Sequence, residues 1–220
     1  MNHLAKAIFV FMFLIIGGCS YHNEPDIFLH IKSGDLEAVR KDVKEEGIFE
    51  KTNLKGITPL IYAIEQDNLA AFRLMLENGA DPNHRISSGG SAMTFSIAND
   101  DPTYLRLLIE FGGDANFFHE SRRESVIFSA LSPGKQEHLK ILFNAGADIN
   151  ARDGVNRTPI MVSGVLNQYE TVLYLLKKGA DCTLKDNFNY TLRDILRDNQ
   201  FMETDNMMKL RFVILDHYCH

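Results

Sequence analysis

The chain of 220 residues has no tryptophan, only three cysteines and no positive excess, with 23 Lys and Arg against 29 Asp and Glu. Three cysteines are too few for a disulfide-built scaffold, so the fold must rest on apolar burial. A net charge of −6 excludes non-specific attachment to nucleic acid, whose phosphates need a basic face. Long apolar runs are scarce too. Ala7 to Ile16 is unbroken, but such a run spans about 15 Å as a helix, half the hydrocarbon core of a bilayer. The eight histidines form no His-Glu-x-x-His pair, and there is no Gly-x-Ser-x-Gly, P-loop or dinucleotide-binding glycine fingerprint. No catalytic residue, metal or cofactor is expected. What remains is 45% hydrophobic, a globular balance.

The start of the chain reads as a targeting segment. His3 and Lys6 precede the apolar run, and Ile16, Gly17, Gly18 and Cys19 follow it. This resembles the bacterial lipobox, which implies cleavage after residue 18 and a Cys19 that carries the acyl chains, palmitate among them. Several buried acyl chains make a lasting anchor. Ser20 is not the Asp that retains such proteins at the inner membrane in that family pattern, so the resemblance implies the outer membrane, facing the periplasm. Residues 19–26 are then the lipidated cysteine and a short polar tether.

The rest of the sequence repeats. Gly79-Ala80-Asp81-Pro82-Asn83, Gly112-Gly113-Asp114-Ala115-Asn116, Gly146-Ala147-Asp148-Ile149-Asn150 and Gly179-Ala180-Asp181-Cys182-Thr183 recur at intervals of 33, 34 and 33 residues. Thr58-Pro59-Leu60, Ser91-Ala92-Met93, Ser125-Val126-Ile127, Thr158-Pro159-Ile160 and Thr191-Leu192 keep the same register. So does an apolar stripe starting at Phe72, Leu105, Leu139 and Val172, fourteen residues after each Thr or Ser. The Thr or Ser is placed to cap an inner helix, with Pro59 and Pro159 at the first helical position. The stripe marks an outer helix, the glycines end it in the left-handed conformation, and the Asp and Asn shape a turn.

These three series together resemble the ankyrin repeat. The resemblance implies an all-α solenoid of stacked helix pairs with projecting β-hairpin loops over residues 27–220. Its divisions are an N-terminal cap at 27–53, repeats at 54–86, 87–120, 121–153 and 154–186, and a C-terminal cap at 187–220. The last cap is irregular, since Arg193 stands where an aliphatic is usual and the stripe Leu210, Val213 and Ile214 comes five residues late. Cys182 and Cys219 are left after Cys19 is lipidated, and they are either a disulfide or a free pair.

A repeat solenoid without a catalytic constellation reads as a recognition surface. Repeat alignment places His84, Arg85, Phe117, Phe118, His119, Arg122, Arg123, Asn156, Arg157, Phe188 and Tyr190 on the loops, or fingers. Tyr62, Gln66, Phe95 and Asn99 fall on the inner helices. Aromatic and arginine side chains are the usual anchors of protein interfaces. The layout resembles the immunity proteins that accompany type VI secreted phospholipase effectors, implying a protein partner, a lipase effector, bound by a chain that is monomeric when free. An envelope scaffold or stress-protection factor docking a resident periplasmic protein is the alternative.

Overall fold

The computed structural model describes residues 25–198 and 204–219. Cys19, the apolar segment before it and most of the tether lie outside them. Six helix pairs follow one another: α1 (Asp26–Ser33) with α2 (Leu36–Asp42), α3 (Pro59–Glu65) with α4 (Leu69–Glu77), α5 (Ala92–Ala98) with α6 (Thr103–Glu110), α7 (Val126–Ser129) with α8 (Gln136–Asn144), α9 (Pro159–Val165) with α10 (Tyr169–Lys177), and α11 (Leu192–Asp198) with α12 (Asp205–His217). The first helix of each pair stacks on the first of the next, giving an inner row backed by an outer one. A two-residue antiparallel ladder, β1 (Phe118–His119) with β2 (Glu124–Ser125), closes one finger, with Phe118 opposite Ser125.

The repeated residues explain the repeated geometry. The Ser91 hydroxyl accepts from the Met93 amide at 3.2 Å while the Thr94 hydroxyl accepts from the Ser91 amide, a reciprocal cap on α5. Asn68 caps α4 by accepting from the Ala71 amide at 3.0 Å. Thr191 is held through its amide and hydroxyl by the Asp194 carboxylate. Ser125 and Thr158 depart from this rule, because their hydroxyls are buried without a hydrogen-bond partner. Gly79 ends α4 at φ 94°, its amide donating to Leu76 and that of Ala80 to Met75, the paired closure that only glycine adopts without strain.

The turns tie neighbouring repeats together. Asp81, Asp114, Asp148 and Asp181 each accept from the amide two residues on, at 2.8–2.9 Å, so these carboxylates shape turns. The Asn83 side chain reaches the next repeat, donating to the Gly112 carbonyl and accepting from the Asp114 amide. Asn116 does the same with Gly146 and Asp148, and Asn150 accepts from Asp181. At the corresponding place Thr183 turns back on Asp181 instead, and the ladder stops.

The apolar interior falls into two clusters, Ile27 to Ala147 and Ile160 to Cys219, with Phe143 and Tyr174 packed between them. The C-terminal cluster is the thinner. Of the thirteen residues of α12 only Arg211 and Ile214 are buried. Val213, expected on the inward stripe, is 40% exposed, because the helix is turned so that Leu210, Arg211 and Ile214 share its inner side. Arg193 fills its unusual place by donating to the carbonyls of Leu215 and Cys219 at the end of α12. Cys182 and Cys219 form a disulfide across 37 residues, their Cα atoms 6.1 Å apart.

His138 on α8 is a buried polar group in an apolar place. Both its ring nitrogens lack a hydrogen-bond partner, although the carbonyls of Ser96 and Asn99 lie near. Burial, and then the Lys135 ammonium, hold its pKa below the ordinary 6.5 against the pull of Asp100. The folded state therefore binds this proton less readily than the unfolded chain, so stability is whole above about pH 6.5 and falls as the pH drops below it. His30 acts in the opposite sense. Its hydrogen bond to Asp42 at 2.6 Å raises its pKa, giving stability that is present below 6.5 and lost as the pH rises through the raised value. His138→Leu should stabilise the chain by about 1–2 kcal/mol, by removing the unpaired polar atoms, and should shrink the acid-side loss, to which His119, its pKa also lowered by burial, contributes in the same sense. Denaturant midpoints at pH 5.5 and 7.5 check this, and an unchanged gap between them would exclude His138 as a source.

Candidate functional site

The fingers and inner helices form one continuous face, and hydrogen bonding decides which of its side chains are free. Arg85 is engaged: it donates to the Phe118 carbonyl at 2.7 Å and its guanidinium lies 4.2 Å over the Phe117 ring. Arg152 makes the same step two fingers further, donating to the Lys185 carbonyl, so an arginine at this register clamps the next finger. Arg157 is paired with Asp153, whose side chain is 6% exposed, at 2.8 Å. Asn156, at φ 67°, sits in a turn with its amide group on the Lys185 carbonyl. The Asn99 side chain accepts from Asp101 and its carbonyl accepts from Lys135. Tyr62 packs edge-on against Phe28, centroids 5.3 Å apart, and Phe95 is half-buried against the core. Gln66 is exposed at the end of α3, and His84 is half-buried.

Phe117 leaves the set of candidate contacts. It is 3% exposed and belongs to the core, because successive residues of an extended strand point to opposite faces and Phe117 takes the inward one. Phe118, its neighbour, is 42% exposed. His119 accepts from the Arg122 amide, and burial with Arg122 nearby lowers its pKa. Arg122 and Arg123 are exposed at the hairpin turn, and neither side chain makes a hydrogen bond or ion pair among the described residues. Phe188 and Tyr190 are exposed on the last finger, whose loop is fixed by the Asp186 carboxylate accepting from both their amides, at 2.8 and 2.9 Å. Phe118, Arg122, Arg123, Phe188 and Tyr190 are thus free to meet another molecule and are carried on braced loops.

Three residues missed in the sequence join this face. Leu54, between the turn residues Asn53 and Gly56, is 81% exposed, and an apolar residue inside a turn was the available signal. Glu124 is half-buried on β2, and Lys135 reaches back from the start of α8 to the end of α5. Both line a cavity of about 430 Å³ with Thr94, Ile97, Arg122 and Phe128.

Known proteins give the architecture its family. Two ankyrin-repeat family models match, one of many copies at residues 60–109 and one of three copies at residues 93–186. An ankyrin repeat protein of Fowlpox virus (strain NVSL), FPV219, is 38% identical over 133 residues, 60% of this chain and 30% of its own length; the chain thus spans less than a third of that relative. Among solved structures, the ankyrin repeat protein EF0377 superposes with a TM-score of 0.73 at 17% identity, over 87% of this chain and 97% of its own. A chain from the complex of the predatory endopeptidase Bd0816 of Bdellovibrio bacteriovorus with immunity protein Bd3460 superposes with a TM-score of 0.68 at 20% identity, over 83% of this chain and 96% of that one. Helix pairs, capped turns and the asparagine ladder agree with these matches, and the chain belongs to the ankyrin-repeat proteins.

Proposed function

We propose that this ankyrin-repeat protein-binding module is an immunity protein. In this reading it is anchored through an acylated Cys19 to the outer membrane, facing the periplasm, and it neutralises a type VI secreted phospholipase by covering the effector's working face. The observation that carries the reading is the braced row of free fingertip groups, Phe118, Arg122, Phe188 and Tyr190, on a fold with no grouping of metal-ligating side chains among the described residues. A rigid aromatic and arginine face loses little entropy when it docks. The structural likeness to the endopeptidase–immunity complex supports an immunity role, and the likeness of layout noted above supplies the lipase. A lipid anchor would hold the inhibitor at the membrane such an effector attacks, raising its effective concentration.

The test is a competition assay. A strain lacking this chain and mixed with effector-proficient siblings should be killed, and the wild-type chain supplied in trans should restore survival. Survival of the deletion strain beside those siblings would overturn the immunity reading and favour docking to a resident envelope protein.

A further inference from the structure

The cavity beneath the third finger has a local origin. Ser125 follows Gly112 by 13 residues, whereas Thr158 follows Gly146 by 12, and the added residue lets the finger close as the β1–β2 ladder. Beneath it, α7 ends after four residues where α3, α5 and α9 run for seven. Ser132-Pro133-Gly134 follows, and a residue preceding proline is driven away from the helical conformation. The missing turn of helix leaves the 430 Å³ cavity open between α5, α7 and the hairpin. Lys135 is already spent there, its ammonium shared by the Ala98 and Asn99 carbonyls and the Asp100 carboxylate. Arg122 and Glu124 are not: they line one cavity, yet neither side chain makes a hydrogen bond or ion pair among the described residues. Burial pushes the Glu124 carboxyl up against the pull of the Arg122 guanidinium.

We propose that this cavity receives a carboxylate-bearing segment of the protein partner, whose Asp or Glu pairs with Arg122 while its backbone amides donate to Glu124. The proposal rests on the partner-binding reading above and names the chemistry of the contact. A guanidinium and a carboxylate is the pairing that bidentate geometry favours. Arg123 beside it adds a second cation without a partner, on a chain that is otherwise acidic, and Ser129 and Ser132 offer hydroxyls along the wall.

The full chain, labelled with nitrogen-15, is titrated with capped hexaglutamate, capped hexalysine and inorganic phosphate, and its amide resonances are followed. Hexaglutamate should shift the amides of residues 94, 122–125, 129 and 132. Arg122→Ala should weaken that binding at least fivefold, Arg122→Lys should restore part of it, and Arg73→Ala on the outer helix α4 should leave it unchanged. Shifts elsewhere, an equal response to hexalysine or phosphate, or indifference to Arg122→Ala would each overturn the proposal. None of these readouts needs the effector. A failure here leaves the immunity reading with another contact face, and a surviving deletion strain leaves the cavity with another partner.

Discussion

Phe117→Ala should cost the chain about 3–5 kcal/mol, while Phe118→Ala, one residue along, should change its stability by less than about 0.5 kcal/mol. Phe117 is 3% exposed, lies under the Arg85 guanidinium and forms part of the main apolar cluster. Truncation removes a buried ring, leaves a cavity and strips Arg85 of its aromatic platform. Its carbonyl also accepts from the Val126 amide, the first residue of α7, so disorder there would reach the finger and the inner helix together. Phe118 packs against far less, and its loss should appear as weaker partner binding. Urea unfolding with the slope compared between variants separates the two. Equal midpoints for both variants would show that Phe117 is not part of the core.

Breaking the disulfide should act on one end of the molecule. In the chain-entropy account, a bridge closing 37 residues stabilises by about 4 kcal/mol. The helix it fastens buries only Arg211 and Ile214, so little else holds α12 down. Cys182→Ser, or reduction of the native chain, should therefore raise amide hydrogen exchange by two to three orders of magnitude across residues 160–219. Residues 27–147 have their own apolar cluster and should keep their protection, as expected where each repeat contacts only its neighbours. Uniform loss of protection along the chain would show a single cooperative unit, and no change would show that packing alone holds α12.

The period, the caps at Thr58, Ser91 and Thr191 and the glycine closures were legible in the sequence because each is a local requirement repeated in register, whereas the hydroxyls of Ser125 and Thr158 lie buried without capping. The site was legible only in part. Repeat alignment puts Phe117 and Phe118 on a finger, but which ring turns inward depends on the strand register that the inserted residue creates. Arg157 and Arg85 look like free cations in a linear reading; their partners, the Asp153 carboxylate and the Phe118 carbonyl, follow from turn geometry and from the neighbouring finger. Arg193 looks like an error in a buried place until the end of α12 is brought against it across 22 and 26 residues. Glu124 and Lys135 were missed for a related reason, since the shortened α7 that brings them to one cavity has no signature beyond Pro133.

If the partner sits on the finger face, a photo-reactive phenylalanine analogue placed at residue 118 or 190 in living cells should capture it, while the same analogue at residue 106 on the outer helix α6 should not. One protein adduct of the same mass is expected from positions 118 and 190 and none from 106. An adduct from 106 alone, or from none of the three, would place the partner off the finger face.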